Sequence, residues 1–105
     1  MEELHKGAKG MVVQIIKFRS ALSEKEVLKV AREREGQFQA LPGLLQKYYV
    51  KSNEPGLFGG IYIWDSEESL KSYRASDLAA SIPEAYKLLE PANIEILDVL
   101  FRLRE

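Results

Sequence analysis

An α+β fold of order β-α-β-β-α-β is predicted by three features of the chain. Two helix-start signatures each follow an apolar strand-like run, a turn cluster separates the two middle strands, and no cysteine or long apolar span points to another architecture. This order is the ferredoxin-like arrangement, with a four-stranded antiparallel sheet and both helices on one of its faces. At 105 residues the chain has room for one core and therefore one domain.

Residues 1–10 are polar, with two glycines and two lysines, and read as a flexible tail ahead of a single domain over 11–105. The only histidine, His5, falls in this tail. Met11 to Arg19 is β-branched and apolar with little helical periodicity, which makes it the first strand. In Leu22-Ser23-Glu24-Lys25-Glu26-Val27, Ser23 and Glu26 stand at capping-box spacing, and Leu22 and Val27 are placed as a hydrophobic staple. The helix they open runs to about Gln39, with Val27, Val30, Ala31 and Phe38 on one face. Leu41-Pro42-Gly43 ends it.

Leu44 to Ser52 resumes a strand, and Leu57 to Trp64 is the next. Between them Asn53-Glu54-Pro55-Gly56 has the composition of a turn, so the two strands form an antiparallel hairpin. Asp65 and Glu68 repeat the capping-box spacing and open a second helix through Leu70 and Tyr73. Ser76-Asp77 can break or restart it, and Pro83 fits the first turn of a further helical piece. Ala92 to Arg102 completes the sheet as a long final strand.

Fifteen basic against sixteen acidic side chains leave no cationic excess of the kind a phosphate backbone demands, so nucleic acid is not the expected partner. No apolar run reaches the roughly 20 residues that span a bilayer, and the expected location is the cytoplasm. Without cysteine, thiolate chemistry and cysteine-held metals are excluded, and no metal or cofactor is expected.

The strands are apolar on both sides. Leu97, Val99, Phe101 and Leu103 oppose Ile94, Ile96 and Leu100, Ile61 and Ile63 oppose Phe58, Tyr62 and Trp64, and Val13 and Ile15 oppose Val12, Ile16 and Phe18. A sheet with one face in water alternates apolar with polar instead. The second face is therefore expected to meet a second copy of the chain, giving a homodimer with sheets packed face to face. Scattered surface apolars are the competing reading.

Leu41-Pro42-Gly43-Leu44-Leu45-Gln46-Lys47, followed by Gly59 to Ser69 and Tyr73, resembles the YdhR-type mono-oxygenases of the dimeric α/β-barrel superfamily. The likeness covers about Met11 to Leu103. It implies oxidation of a small aromatic or polyphenolic substrate by dioxygen, without metal or flavin. The haem-degrading branch of that superfamily needs a tryptophan where this chain has Tyr73, a ligating histidine where it has Pro83, and an asparagine on a first strand that offers only Gln14. Canonical haem degradation is not expected.

Five residues are the candidates for a pocket between sheet and helices. Trp64, Tyr62 and Phe38 are placed for contact with an apolar or aromatic ligand, Trp64 with an indole N–H able to bind a ligand oxygen. The competing role for all three is ordinary core packing. Tyr73 and Arg34 are the catalytic candidates: a phenol one turn after Leu70, and a guanidinium in the middle of the apolar stripe of the first helix. So placed, Arg34 has to find water, a ligand anion or a carboxylate, with Asp98 and Asp77 as possible partners, unless it snorkels to the helix edge. Gly59-Gly60 lacks the context of a phosphate loop and marks a bulge or close backbone approach. The charged run Lys29 to Glu35 reads as a solvated helix face with i,i+4 pairs. Two functions remain open, a cofactor-independent mono-oxygenase and a non-enzymatic or stress-associated homodimer that binds a small aromatic ligand. A module that pairs through an open sheet edge is a weaker third.

Overall fold

The computed structural model describes residues 10–104. The tail expected over residues 1–10, Gly10 apart, lies with His5 outside the described residues. The elements are β1 (Val12–Arg19), α1 (Glu24–Gln39), β2 (Leu44–Lys51), β3 (Leu57–Trp64), α2 (Glu67–Arg74), α3 (Asp77–Ala80), α4 (Ile82–Ala85) and β4 (Asn93–Asp98). The strands form one antiparallel sheet in the order β2-β3-β1-β4, as the ferredoxin-like topology requires.

The capping box of α1 is present in full: Glu26 N–H donates to Ser23 Oγ at 3.2 Å, and Ser23 N–H donates to Glu26 Oε1 at 2.9 Å. The cap of α2 sits one residue later than the spacing predicts. Ser66 Oγ, not Asp65, accepts from Ser69 N–H at 3.1 Å, because Asp65 N–H is taken by the Gly43 carbonyl at 2.8 Å and its carboxylate by the Ser69 hydroxyl at 2.7 Å. Ser76 caps the restarted α3, and Pro83 lies in the first turn of α4. On the charged run of α1 the observed ion pair is Arg32–Glu35, three residues apart, while an i,i+4 pair forms on α2 between Glu67 and Lys71.

The last strand is shorter than its apolar pattern. β4 spans Asn93–Asp98, pairing with β1 from Val12↔Asp98 to Lys17↔Asn93, and Val99 N–H donates to the Met11 carbonyl at 3.1 Å. Beyond it Leu100, Phe101 and Leu103 are exposed.

The helix-side face supplies the core: Val12, Gln14, Ile16 and Phe18 from β1 and Phe58, Tyr62 and Trp64 from β3 are all buried. Among the described residues no element covers the opposite face, which is largely apolar. Val13, Ile15, Ile61 and Ile63 are half-buried there by neighbours alone, and Tyr48 and Leu97 are exposed. At Gly59 a Cβ would collide with the Ile16 carbonyl, so this glycine serves close backbone approach. Among the described residues the sheet carries a bulge between Leu44 and Gln46.

Candidate functional site

Four of the five predicted residues meet in one buried cluster. Tyr62 and Trp64, two apart on β3, project to the same side and stack with rings 6.2 Å apart and 7° from parallel. Tyr73 from α2 closes on both, at 5.6 Å from the Tyr62 ring and 5.3 Å from Trp64, and Phe38 from the end of α1 lies 6.3 Å from Tyr62 and 6.1 Å from Tyr73. Such offset and tilted pairs suit the ring quadrupole. Trp64 is 0% exposed, and its Nε1–H donates to Gln14 Oε1 at 3.1 Å. A polar glutamine inside β1 is thus matched to the one buried indole N–H.

Arg34 is not part of this cluster. Its Nη2 donates to Ser81 Oγ at 2.5 Å, and neither Asp98 nor Asp77 is its partner. The serine closing α3 reaches the apolar stripe of α1, whereas Asp98 lies on the exposed edge strand and Asp77 at the other end of α3. Arg34 Nε is buried without a hydrogen-bond partner.

Beside the cluster, α1 stands off the sheet and leaves a cleft of about 200 Å³ lined by Ile16, Phe18, Val27, Ala31, Phe58, Tyr62, Ile82 and Tyr86, with Lys47 and Tyr49 along β2. Of the five predicted residues only Tyr62 lines it. Trp64 and Tyr73 border a second hollow of about 490 Å³, with Ser66, Ser69, Ser72 and Ser76. At the cleft's edge Lys51 and Glu24 pair at 2.9 Å. Since a cavity of about 150 Å³ suffices for one benzene, this cleft suits a molecule of one or two rings.

Lys47 is the residue that sequence reading missed. Its Nζ lies 3.4 Å from the ring centroid of Phe38, 4.3 Å from Tyr49 and 4.5 Å from Tyr62, a three-sided aromatic cage. Burial, with Arg34 as a second cation nearby, brings its pKa down to about 7. Gly60 makes space for it, because a Cβ there would stand 3.0 Å from the Tyr62 ring and 3.4 Å from the Lys47 stem. The phenols shift the opposite way. Burial pushes Tyr62 and Tyr73 up and Tyr86 to about 12, so at neutral pH they remain protonated donors. Tyr62 and Tyr73 share a hydroxyl contact of 3.4 Å. Because that contact is long, Tyr73→Phe is expected to lower stability by no more than about 1 kcal/mol in urea unfolding. A larger loss would make the hydroxyl a structural element rather than a ligand contact.

Among the described residues no group of three or more His, Cys, Asp or Glu is placed to hold a metal ion, and no helix is long and apolar enough to cross a membrane.

A family model described as "Putative mono-oxygenase ydhR" matches residues 12–92. No curated protein matches the chain by sequence. Among solved structures, a protein of unknown function from Nitrosomonas europaea is 18% identical with a TM-score of 0.76, covering 94% of this chain and 98% of its own. SnoaB, a cofactor-independent oxygenase from Streptomyces nogalater, is 14% identical with a TM-score of 0.73, covering 91% and 99%. A mono-oxygenase from the gene ActVA-Orf6 of Streptomyces coelicolor, in complex with Nanaomycin D, is 18% identical with a TM-score of 0.66, covering 90% and 91%. At these identities the likeness establishes a common fold.

Proposed function

Because the chain belongs to the ydhR mono-oxygenase family, we propose that it is a cofactor-independent mono-oxygenase. It oxidises a one- or two-ring hydroxyaromatic in the cleft between α1 and the β2–β3 hairpin, as a homodimer joined through the uncovered sheet face. The observation that carries the reading is the cleft itself, apolar and flanked by the rings of Phe18, Phe58, Tyr62 and Tyr86 around a few polar groups. The description of SnoaB, which shares the fold, as a cofactor-independent oxygenase supports the chemistry. The apolar surface of Val13, Ile15, Ile61, Ile63, Tyr48 and Leu97 supports the dimer.

The reaction balances without an external reductant. A phenol with a free ring C–H para to its hydroxyl reacts with O₂ to give the para-quinone and water. Loss of the hydroxyl proton gives an electron-rich phenolate, which passes one electron to O₂. The radical pair joins at the para carbon as a peroxide. Loss of the C–H proton then forms the second carbonyl as the O–O bond breaks, and the distal oxygen leaves as water. The protein's part is to take the first proton, to orient the ring and to exclude water. In this arrangement Tyr62 touches the substrate, Phe38, Tyr73 and Trp64 back its ring, and Arg34 acts through its charge.

With 1-naphthol as substrate, an oxygen electrode is expected to record one O₂ consumed per 1,4-naphthoquinone formed, without accumulation of hydrogen peroxide. Saturable binding of 1-naphthol with no oxygen uptake would replace this reading by the non-enzymatic binding dimer.

A further inference from the structure

We propose that Lys47 is the residue that receives the substrate's proton, and that the cleft selects acidic hydroxyaromatics whose conjugate anion it holds against the resulting ammonium. The inference rests on the cleft being the aromatic-binding site, and adds to it an acceptor and a class of ligand.

The geometry carries the argument. The position of Lys47 is set by β2 and not by a mobile loop, its stem runs beside Gly60, and its Nζ faces three ring faces at 3.4, 4.3 and 4.5 Å. Among the described residues no carboxylate forms an ion pair with it. The charged and titratable groups around it come from every wall. Arg34 from α1 opposes its charge, while Glu35 is engaged by Arg32 at 3.3 Å. Tyr49 from β2, Tyr62 from β3, Tyr73 from α2 and Tyr86 beyond α4 are phenols held protonated by burial. Glu24 is occupied by Lys51. A cleft lined by three neutral phenols, with Glu24 occupied by Lys51 and the Arg34 charge close by, favours an anion, and the caged Lys47 amine is the group within it placed to accept a proton. The step is a plain proton transfer: the substrate O–H bond breaks, its electron pair stays on oxygen, and an N–H bond forms at Nζ. The new ammonium gains a counter-ion that the aromatic cage itself does not supply.

The test uses 4-nitrophenol and the non-ionisable nitrobenzene, titrated calorimetrically into the full-length protein at about pH 8.5 in two buffers of different ionisation enthalpy. At that pH the ligand is already the phenolate and Lys47 is mostly neutral, so binding should draw about one proton from the buffer. Lys47→Arg keeps a cation but has no site to accept a proton, and is expected to bind nitrophenolate with no proton uptake. Should the guanidinium perturb folding by circular dichroism, Lys47→Gln serves instead, with binding weakened about tenfold or more and again no uptake. Nitrophenolate binding to the unaltered protein without proton uptake, or nitrobenzene binding equally well, would overturn the role of Lys47 and leave the mono-oxygenase reading standing. Failure of both ligands to bind would remove the cleft and the inference together.

Discussion

Trp64→Ala is expected to lower stability by about 3–5 kcal/mol. Three contributions add at this position. The indole is fully buried, so its removal leaves a large cavity that the rigid sheet beneath can close only in part. Its faces support Tyr62 and Tyr73, both within 6.2 Å, and these in turn support Phe38. Its N–H satisfies Gln14 Oε1, which the variant would leave buried and unpaired. Trp64→Phe separates these contributions: it retains most of the packing but loses the hydrogen bond, and is expected to fall in between, about 1–3 kcal/mol below the parent. Urea unfolding followed by far-ultraviolet circular dichroism reads both. A Trp64→Ala protein within about 1 kcal/mol of the parent would mean that the indole lies in an open pocket and not in the core.

Lys47→Met is expected to act in the reverse direction and make the protein more stable. Lys47 has its pKa lowered from 10.5 to about 7 in the folded state. Between these values the unfolded chain binds the extra proton and the folded one does not. Stability therefore rises with pH from about 7 to 10.5 and carries the full penalty of the caged ammonium below 7. Each tenfold loss of proton affinity on folding corresponds to about 1.4 kcal/mol. The side chain keeps partial contact with solvent, and the ring faces favour the cation, so the gain from removing the charge is on the order of 2–4 kcal/mol near pH 6. It should shrink steadily from about pH 7 and vanish only above about pH 10.5, where the parent sheds the proton in the unfolded state as well. Paired denaturation curves at pH 6 and pH 9 check this. A variant that is destabilised at both, with no change of the difference between them, would show that Lys47 is an ordinary packing residue. Gain of stability with loss of function is the usual mark of a group kept for its chemistry.

The contrast between Trp64 and Lys47 also explains what could be read from the chain. The element order, the box at Ser23 and Glu26, the restart at Ser76 and the close approach at Gly59 follow from local chemistry, and the structure contains each of them. The cap at Ser66 is displaced by a long-range bond from Asp65 to the Gly43 carbonyl, which no local spacing encodes. The final strand is β4 over Asn93–Asp98, the inner part of the apolar run that its pattern marks out. Lys47 is hidden by parity. With strict alternation from Leu44, which faces Trp64 and the helices, Gln46 would also point inward and Lys47 outward. The bulge between Leu44 and Gln46 reverses this, so that Lys47 stands opposite Tyr62 and Tyr49 opposite Gly60. A one-residue slip is invisible in a strand whose apolar and polar residues come in adjacent pairs, Leu44-Leu45, Gln46-Lys47 and Tyr48-Tyr49. Arg34 stands out correctly as a misplaced charge, and its serine partner, 47 positions away, could come only from tertiary structure.

The three short helices α2, α3 and α4 give this side of the molecule a different dynamic character from α1. Helices of eight and four residues are far below the length at which helical order sustains itself, and each begins afresh, α2 and α3 on serine caps of their own. Their order is borrowed from what they touch. Ile82 and Tyr86, which form one wall of the cleft, sit on the last of these pieces, pinned by Arg34 to Ser81 on one side and by the Ser20 hydroxyl to the Tyr86 carbonyl on the other. Ala21 N–H to the Lys87 carbonyl and Leu89 N–H to the Arg19 carbonyl, at 3.0 and 2.9 Å, add to these bonds, so the wall takes its place from the end of β1 and from α1 rather than from helical order of its own. The shape of the cleft therefore depends on hydroxyls outside it, those of Ser20 and Ser81, as much as on the rings that line it.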